Sequence, residues 1–386
     1  MAKRILMHSQ GRALGHLRRT RNIALEVLAR DPRCSILNLV DSPRTPFFDP
    51  VPGLDYLKLP TVGQQNGLRR GGRHWRVHSL NMDIQEVTNL RAEIILEVFK
   101  GFNPDAVLVD LLPVGAQGEL KPLLDLAVRR PRRPKLYLGL RGIIQHPNRI
   151  ADEWGQLGAY DYLKHYNAVL VYDSPDIYDT ASIYNLSPHA HQVIYTNNVV
   201  GPVEDRSGDP PTEEPFILVM GGSGMDVFRV EKTYLEALPL LSQETSLKSI
   251  IITGPNMRPD RYEAIMTEAA KHPVEIHRSV SDATRLIQQA AVVVTMGGYN
   301  SVCEILQFRK KTLVIPRGLS QEFSEQEIRA QKLAEQRLLK TVSQRKLTPE
   351  KLTKALVQLI HDDDIPNPDN LPLMDGAQQV AELLLG

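Results

Sequence analysis

At 386 residues the chain is longer than one hydrophobic core usually serves, so two domains are expected. A hydrophobic content of 42% with 24% charged residues excludes a disordered or fibrous chain, and 46 Lys+Arg against 45 Asp+Glu leave no global electrostatic footprint for nucleic acid. Cys34 and Cys303 are too few for a disulfide framework and lack metal-ligand spacing. No window approaches the ~18 apolar residues of a membrane span, and the start turns polar too soon for a secretory signal, so a cytoplasmic protein is expected.

In chain order, short runs rich in Val, Ile and Leu and bounded by Gly, Pro, Asn or Asp predict buried strands at 4–8, 35–40, 55–59, 106–110, 135–139, 168–172 and 193–195. Helical periodicity fills 14–30, 82–100, 118–129 and 147–166, while 61–79 reads as a long connection. The stretch 201–215, with its prolines, glycines and acidic residues and no apolar period, reads as a linker. Beyond it strands are predicted at 216–220, 249–253, 274–277, 292–295, 312–315 and 339–342. Helices are predicted at about 227–241, 260–271, 281–290, 300–307, 324–335 and 348–360. This alternation predicts an α/β protein of two Rossmann-like parallel-sheet domains facing a cleft, with ligands beyond the carboxyl ends of the strands. The domains are expected at 1–200 and 216–372, with an amphipathic tail over 373–386.

Three glycine-rich loops each follow a predicted strand and open a predicted helix: Ser9–Arg19 with Gly11, Arg12, Gly15 and His16; Met220–Gly224 with Gly222 and Ser223; and Thr295–Ser301 with Gly298, Asn300 and Ser301. Glycine there lets backbone N–H groups approach an anion, which the helix dipole favours, although tight turns also use glycine for conformation alone. Neither a P-loop nor a dinucleotide G-x-G-x-x-G is present.

The second half resembles the donor domain of GT-B glycosyltransferases of the MurG type, which move N-acetylglucosamine from UDP to a lipid-linked acceptor. The resemblance is carried by Ile217–Gly224, Ile251–Gly254, Ala290–Glu304, Thr312–Arg317 and Glu325–Ala330, in the family's order; the first half matches mainly from Gly11 to His16. It implies that Glu304 bonds the donor ribose hydroxyls, a task suited to a carboxylate that accepts from a diol. It also implies that Gly222, Ser223, Gly298, Asn300 and Ser301 hold the diphosphate, that the Val280 backbone reads the base edge, and that Glu325 and Gln326 contact sugar hydroxyls. His16 falls on the family's first-loop histidine, a general base or transition-state contact; imidazole titrates near neutral pH and suits that work. The family's doubled glycine is Leu14-Gly15 here, and Arg12 adds a charge assigned to phosphate or an acidic acceptor.

The expected function is therefore an inverting hexosyltransferase using a nucleotide-diphosphate sugar, UDP-sugar favoured, as co-substrate. No resident cofactor or metal is expected, since no Asp-x-Asp pair stands beside the loops. A nucleotide-sugar hydrolase or 2-epimerase, or a non-catalytic UDP-sugar-binding subunit, are the alternatives. The acceptor is a small molecule or lipid-linked. The basic stretch Arg69, Arg70, Arg73, His74, Trp75 and Arg76 would suit an acceptor loop or a peripheral membrane contact, and equally a solvated loop. Asp110 could hold acceptor or cap a helix, and Cys303 reads as a small core residue.

Overall fold

The computed structural model describes residues 2–9, 14–42, 50–66, 73–202, 214–280, 283–318 and 323–386. The chain divides into two units: Met1–Pro202 with Leu373–Gly386, and Val203–Pro372.

Unit 1 is built from β1 (Arg4–Ser9), α1 (Leu14–Arg30), β2 (Ser35–Val40), β3 (Leu54–Lys58), β4 (Val62–Asn66), β5 (Arg73–Val77), α2 (Ile84–Phe102), β6 (Ala106–Asp110) and α3 (Lys121–Arg129). It continues through β7 (Lys135–Arg141), α4 (Pro147–Gln156), α5 (Ala159–Leu163), β8 (Ala168–Tyr172), α6 (Thr180–Ile183) and β9 (Val193–Tyr195). Seven of these strands form one parallel sheet in the order β3-β2-β1-β6-β7-β8-β9. The strand order reverses between β1 and β6, which opens a crevice at their carboxyl ends. Strands β6 and β8 are buried along their whole length, as expected of a sheet covered on both faces. Ile95 and Phe99 of α2 and Leu123, Leu124 and Ala127 of α3 pack with Leu136, Leu138 and Val169 of the sheet. Each fully buried Leu, Ile or Phe stabilises by roughly 1.5–3 kcal/mol. Helix α2 starts where its sequence says it must: the Asp83 side chain accepts from Glu86 N, and the Glu86 side chain accepts from Asp83 N, satisfying two orphan donors.

Unit 2 repeats the plan with β10 (Phe216–Met220), α7 (Phe228–Glu244), β11 (Lys248–Ile252), α8 (Pro259–Ala269), β12 (Val274–His277), α9 (Thr284–Gln289) and β13 (Val292–Thr295). α10 (Tyr299–Gln307), β14 (Lys311–Val314), α11 (Glu325–Glu335), β15 (Lys340–Thr341) and α12 (Pro349–Ile360) complete it. Its parallel sheet runs β12-β11-β10-β13-β14-β15, so the reversal falls between β10 and β13. One face packs on α7, α8 and α12 through Tyr234, Leu235, Ile265 and Leu356. The other packs on α9 and α10 through Ile287 and Ile305. The two sheets with flanking helices are the α/β architecture the alternation predicts.

The last helix, α13 (Gly376–Leu385), belongs to unit 1 and packs along α1. It buries Ala377, Val380, Ala381 and Leu384, and Tyr137 Oη donates to Leu383 O at 3.0 Å. Gly376 sits so close to Asn197 and Asn198 that a Cβ would lie 2.5 Å from the Asn197 carbonyl oxygen.

Three local expectations need correction. The connection 61–79 contains an antiparallel hairpin, β4 with β5, in which Val62 pairs with Val77 and Gln64 with Trp75. Val62, Trp75 and Val77 pack with Val87 and Ala116, which anchors the hairpin's base. The helix over 147–166 is two helices, because Gly158 takes the left-handed φ of 60° that ends α4 and starts α5. The helix over 281–290 begins at Thr284, with 281–282 outside the described residues. Among the described residues no helix is long and apolar enough to cross a membrane. Most of the linker, 203–213, lies outside the described residues, as do Arg69 and Arg70.

Candidate functional site

In unit 1 the crevice at the strand reversal is lined by the end of β6 and the start of α1. A buried hydroxyl–amide cluster fixes that helix on the sheet: Ser9 Oγ lies 2.6 Å from Thr20 Oγ1 and donates to Asn38 Oδ1 at 2.9 Å, while Asn38 Nδ2 donates to Thr20 Oγ1. Gly15 and His16 stand in the first turn of α1; Gly11 and Arg12 lie outside the described residues.

His16 Nδ1 is 2.5 Å from Asp110 Oδ2, and its side chain keeps 15% exposure. Arg19, one turn on and almost fully buried, donates from Nη2 to Asp110 Oδ1 at 2.6 Å and from Nε to the same oxygen at 3.1 Å. Its guanidinium also lies over the Tyr172 ring, 5.3 Å from the centroid. Arg19 Nη2 approaches His16 Nδ1 to 2.9 Å, but one ring nitrogen cannot donate to Asp110 and accept from Arg19 at once. The short carboxylate contact takes the proton-bearing Nδ1, which makes Nε2 the basic nitrogen. Burial would raise the Asp110 carboxyl, yet the charge of Arg19 and the hydrogen bonds from His16 and Arg19 hold the group below the usual carboxylate range. Burial lowers the His16 imidazole against the pull of Asp110, so the ring is neutral near pH 7. Asp110 therefore does not cap a helix: the next helix, α3, has Leu120 at its N-cap and no side-chain cap. The next residue, Leu111, sits at φ 79°, a left-handed conformation costly for leucine, immediately beside the carboxylate.

A second buried charge group lies beside this one. Arg91 Nη2 is 2.8 Å from Glu119 Oε1, and its Nη1 donates to Pro60 O at 2.7 Å and lies 3.6 Å from Asp41 Oδ2. His8, buried on β1, is pushed down to about 4 by burial and by the Arg91 charge, and is neutral. The loop leaving Asp110 also walls a pocket of about 160 Å³ between Leu112–Gln117, Trp75 and Trp154, in which both tryptophans of the chain take part.

In unit 2 two glycine loops meet at the strand reversal. Gly222 and Gly224 adopt φ of 58° and 89°, open to glycine and strained for other residues. Gly224 abuts Gly254: a Cβ on Gly224 would lie 2.7 Å from Gly254 O, and one on Gly254 2.4 Å from Gly224 N. Ser223 O accepts from Asn256 N, which ties the two loops together. By contrast, nothing lies within 4 Å of the Cβ position at Gly222 or at Gly298, so both leave an approach for a ligand. Gly298 is the residue before α10 and, as a glycine, supplies no side-chain cap to the helix's first N–H groups. Asn300 and Ser301 follow in the first turn, half-buried, and Glu304 is buried 6% exposed on the same helix, beside Cys303 in the core.

Val280 packs half-buried on the second face of the sheet. Ser324 caps α11 by accepting from Glu327 N, which makes Glu325 and Gln326 its first residues. Gln326 Oε1 accepts from Arg317 N at 3.0 Å, so its amide nitrogen is the end available to a hydroxyl. Arg317 is itself paired with Asp226.

Three participants escape the sequence reading. Arg19 completes the group of His16 and Asp110, the latter expected only as an acceptor contact or a cap; only the i, i+3 spacing of His16 and Arg19 on one helix face offered a signal. Glu231, in the first turn of α7, is fully buried beneath Gly221, with neither carboxyl oxygen hydrogen-bonded, and burial pushes it up to about 8. Arg329, on α11, is 3% exposed and donates to Gly297 O. Nothing local in the sequence distinguishes either from a solvated helical charge.

Residues 216–382 match the glycosyltransferase family 28 C-terminal domain. An uncharacterized glycosyltransferase of Methanosarcina mazei is 22% identical over 338 residues, covering 85% of this chain and 83% of the relative. Among solved structures, Acinetobacter baumannii MurG aligns with a TM-score of 0.60 at 14% identity, over 99% of both chains. A Polygonum tinctorium UDP-glucosyltransferase aligns at 0.62 and 12%, over 100% of this chain and 99% of that one. A UDP-glucose:anthocyanidin 3-O-glucosyltransferase solved with UDP aligns at 0.57 and 13%, over 100% and 94%. At these identities the structural likeness is one of fold.

Proposed function

We propose that this GT-B-fold glycosyltransferase, related to the family 28 enzymes, moves a hexose from a UDP-sugar to an acceptor hydroxyl with inversion and without a metal. The observation that carries the reading is the His16–Asp110 contact of 2.5 Å, backed by buried Arg19, at the strand reversal of unit 1.

Asp110 holds the His16 proton on Nδ1, so Nε2 takes the acceptor proton as the acceptor oxygen attacks the anomeric carbon. The new C–O bond forms on the face opposite the breaking bond to diphosphate, and the leaving group departs with its electron pair. In unit 2 the N–H groups at Gly222–Ser223 and at the start of α10, with Asn300 and Ser301, receive that charge. Glu304 takes the ribose hydroxyls, the Val280 backbone the base, and Glu325 with Gln326 the sugar. UDP is favoured because structures of the same fold were solved with UDP and with UDP-glucose. The pocket beside Trp75 and Trp154 adjoins the loop from Asp110 and suits an apolar part of the acceptor.

Calorimetric titration with UDP, GDP and TDP in EDTA tests the donor half. UDP should bind in the micromolar range with the chelator present, and Glu304→Ala should weaken it at least about tenfold, or 1.4 kcal/mol. Equal affinity of the variant would remove Glu304 from the site, and binding restored only by added metal would refute the metal-free reading. Release of UDP from UDP-sugars without any acceptor would point to a hydrolase instead.

A further inference from the structure

We propose that Arg329 is a diphosphate-binding residue of the donor site, contributing a fixed positive charge behind the Gly297–Gly298 loop. The inference rests on the reading of unit 2 as the donor unit.

Arg329 stands on α11, buried to 3% exposure. Its Nη1 donates to Gly297 O at a long 3.4 Å, and its guanidinium lies over the Tyr299 ring at 5.4 Å. Nε and Nη2 have no hydrogen-bond partner. Among the described residues no carboxylate forms an ion pair with it, Glu325 one turn earlier included.

A guanidinium cannot shed its proton at any working pH, so burial cannot be relieved by neutralisation. A buried cation left without a counter-charge is costly, and native interiors rarely keep one unless an anion completes it. The neighbouring backbone is arranged for an anion. Gly297 turns at φ 79°, Gly298 leaves the space above it open, and α10 begins at the next residue with the positive end of its dipole. The guanidinium fork matches the oxygens of a phosphate. A compact, doubly charged group fits these features better than the neutral base or sugar of the same ligand. Arg329 thus adds the one full charge that the glycine loops, with only partial charges, lack. Its alternative role is to prop the loop by holding Gly297 and stacking on Tyr299.

Titration of UDP and of uridine separates the two roles, because uridine carries no phosphate. Arg329→Gln should weaken UDP at least tenfold and leave uridine unchanged, and raising the salt concentration should narrow the gap between wild type and variant. Arg329→Lys should recover part of the loss, because it restores the charge without the fork. Equal weakening of UDP and uridine would make Arg329 a prop for the loop and overturn the proposal, as would unchanged UDP affinity. Thermal unfolding identifies a variant that fails to fold, in which case the UDP-to-uridine ratio of Arg329→Lys decides. Should wild type bind neither compound, the donor reading itself falls. Pyrophosphate titrated into wild type and Arg329→Lys would then test the anion site alone, with loss of pyrophosphate binding supporting it and no binding by either protein overturning it.

Discussion

Asp110→Asn should lower sugar transfer by about three to four orders of magnitude and destabilise unit 1 by roughly 3–5 kcal/mol, a double loss that His16→Gln should not share. The asparagine no longer fixes the proton on His16 Nδ1, so the imidazole can present the wrong tautomer to the acceptor. It also strips Arg19 of its counter-charge: the guanidinium is buried and directs three hydrogen bonds at this one carboxylate. His16→Gln removes the base and should cost about two to four orders of magnitude in rate, but it leaves the Arg19–Asp110 pair intact. Transfer assays beside chemical denaturation of all three proteins test this. An asparagine variant as stable as wild type would mean that the buried pair is not what holds α1 to β6. A glutamine variant with full activity would remove His16 from the chemistry.

Glu231→Gln should make unit 2 more stable than wild type at alkaline pH, with a gain that grows as the pH rises. The sign follows from the direction of the shift. Burial raises the carboxyl from 4.5 to about 8, so the folded protein keeps a proton there that the unfolded chain has already released. Between those limits wild type loses about 1.4 kcal/mol per pH unit, roughly 4–5 kcal/mol in all, and glutamine cannot ionise. Below about pH 4.5 the acid and the amide should be nearly equivalent. The effect should also reach the ligand. A Cβ on Gly221 would lie 2.6 Å from Glu231 Oε1, so an ionised Glu231 places negative charge directly under the loop proposed to take diphosphate. Denaturation of wild type and variant from about pH 5 to about pH 9 provides the check. Parallel stability curves would mean that Glu231 finds a counter-charge or water when it ionises.

The sheets were legible because parallel strands buried on both faces must be apolar throughout, and runs such as Ala106–Asp110 and Phe216–Met220 match their observed spans residue for residue. The β4–β5 hairpin was not, since Gln64, Gln65, Asn66 and Arg73 carry no alternation of apolar and polar residues. Its anchoring comes from Val62 meeting Val87 and Ala116, a tertiary contact. The break at Gly158 was hidden because helical periodicity continues on both sides of it. Site legibility divides along the same line. Glycine loops between a strand and a helix are local patterns, and both loops of unit 2 proposed to hold the donor lie where such patterns place them. The His16–Asp110 contact joins residues 94 apart in sequence, and only the strand order β1-β6 brings them together. Arg19, Glu231 and Arg329 matter because they are buried, and burial of a charge is a property of the fold that a helical sequence does not announce.

The return of α13 to α1 bears on how the chain is made. Because residues 376–385 cover part of α1, a ribosome that has completed Pro202 has released a sheet whose first helix is still bare, while Val203–Pro372 emerges as a continuous piece. The later-made unit can therefore finish folding first, as an insertion within the earlier one. A fragment ending at Pro202 would expose the apolar stripe that Val380, Ala381 and Leu384 occupy, so an N-terminal half expressed alone is a candidate for aggregation or chaperone capture, whereas the insertion is the piece suited to independent expression.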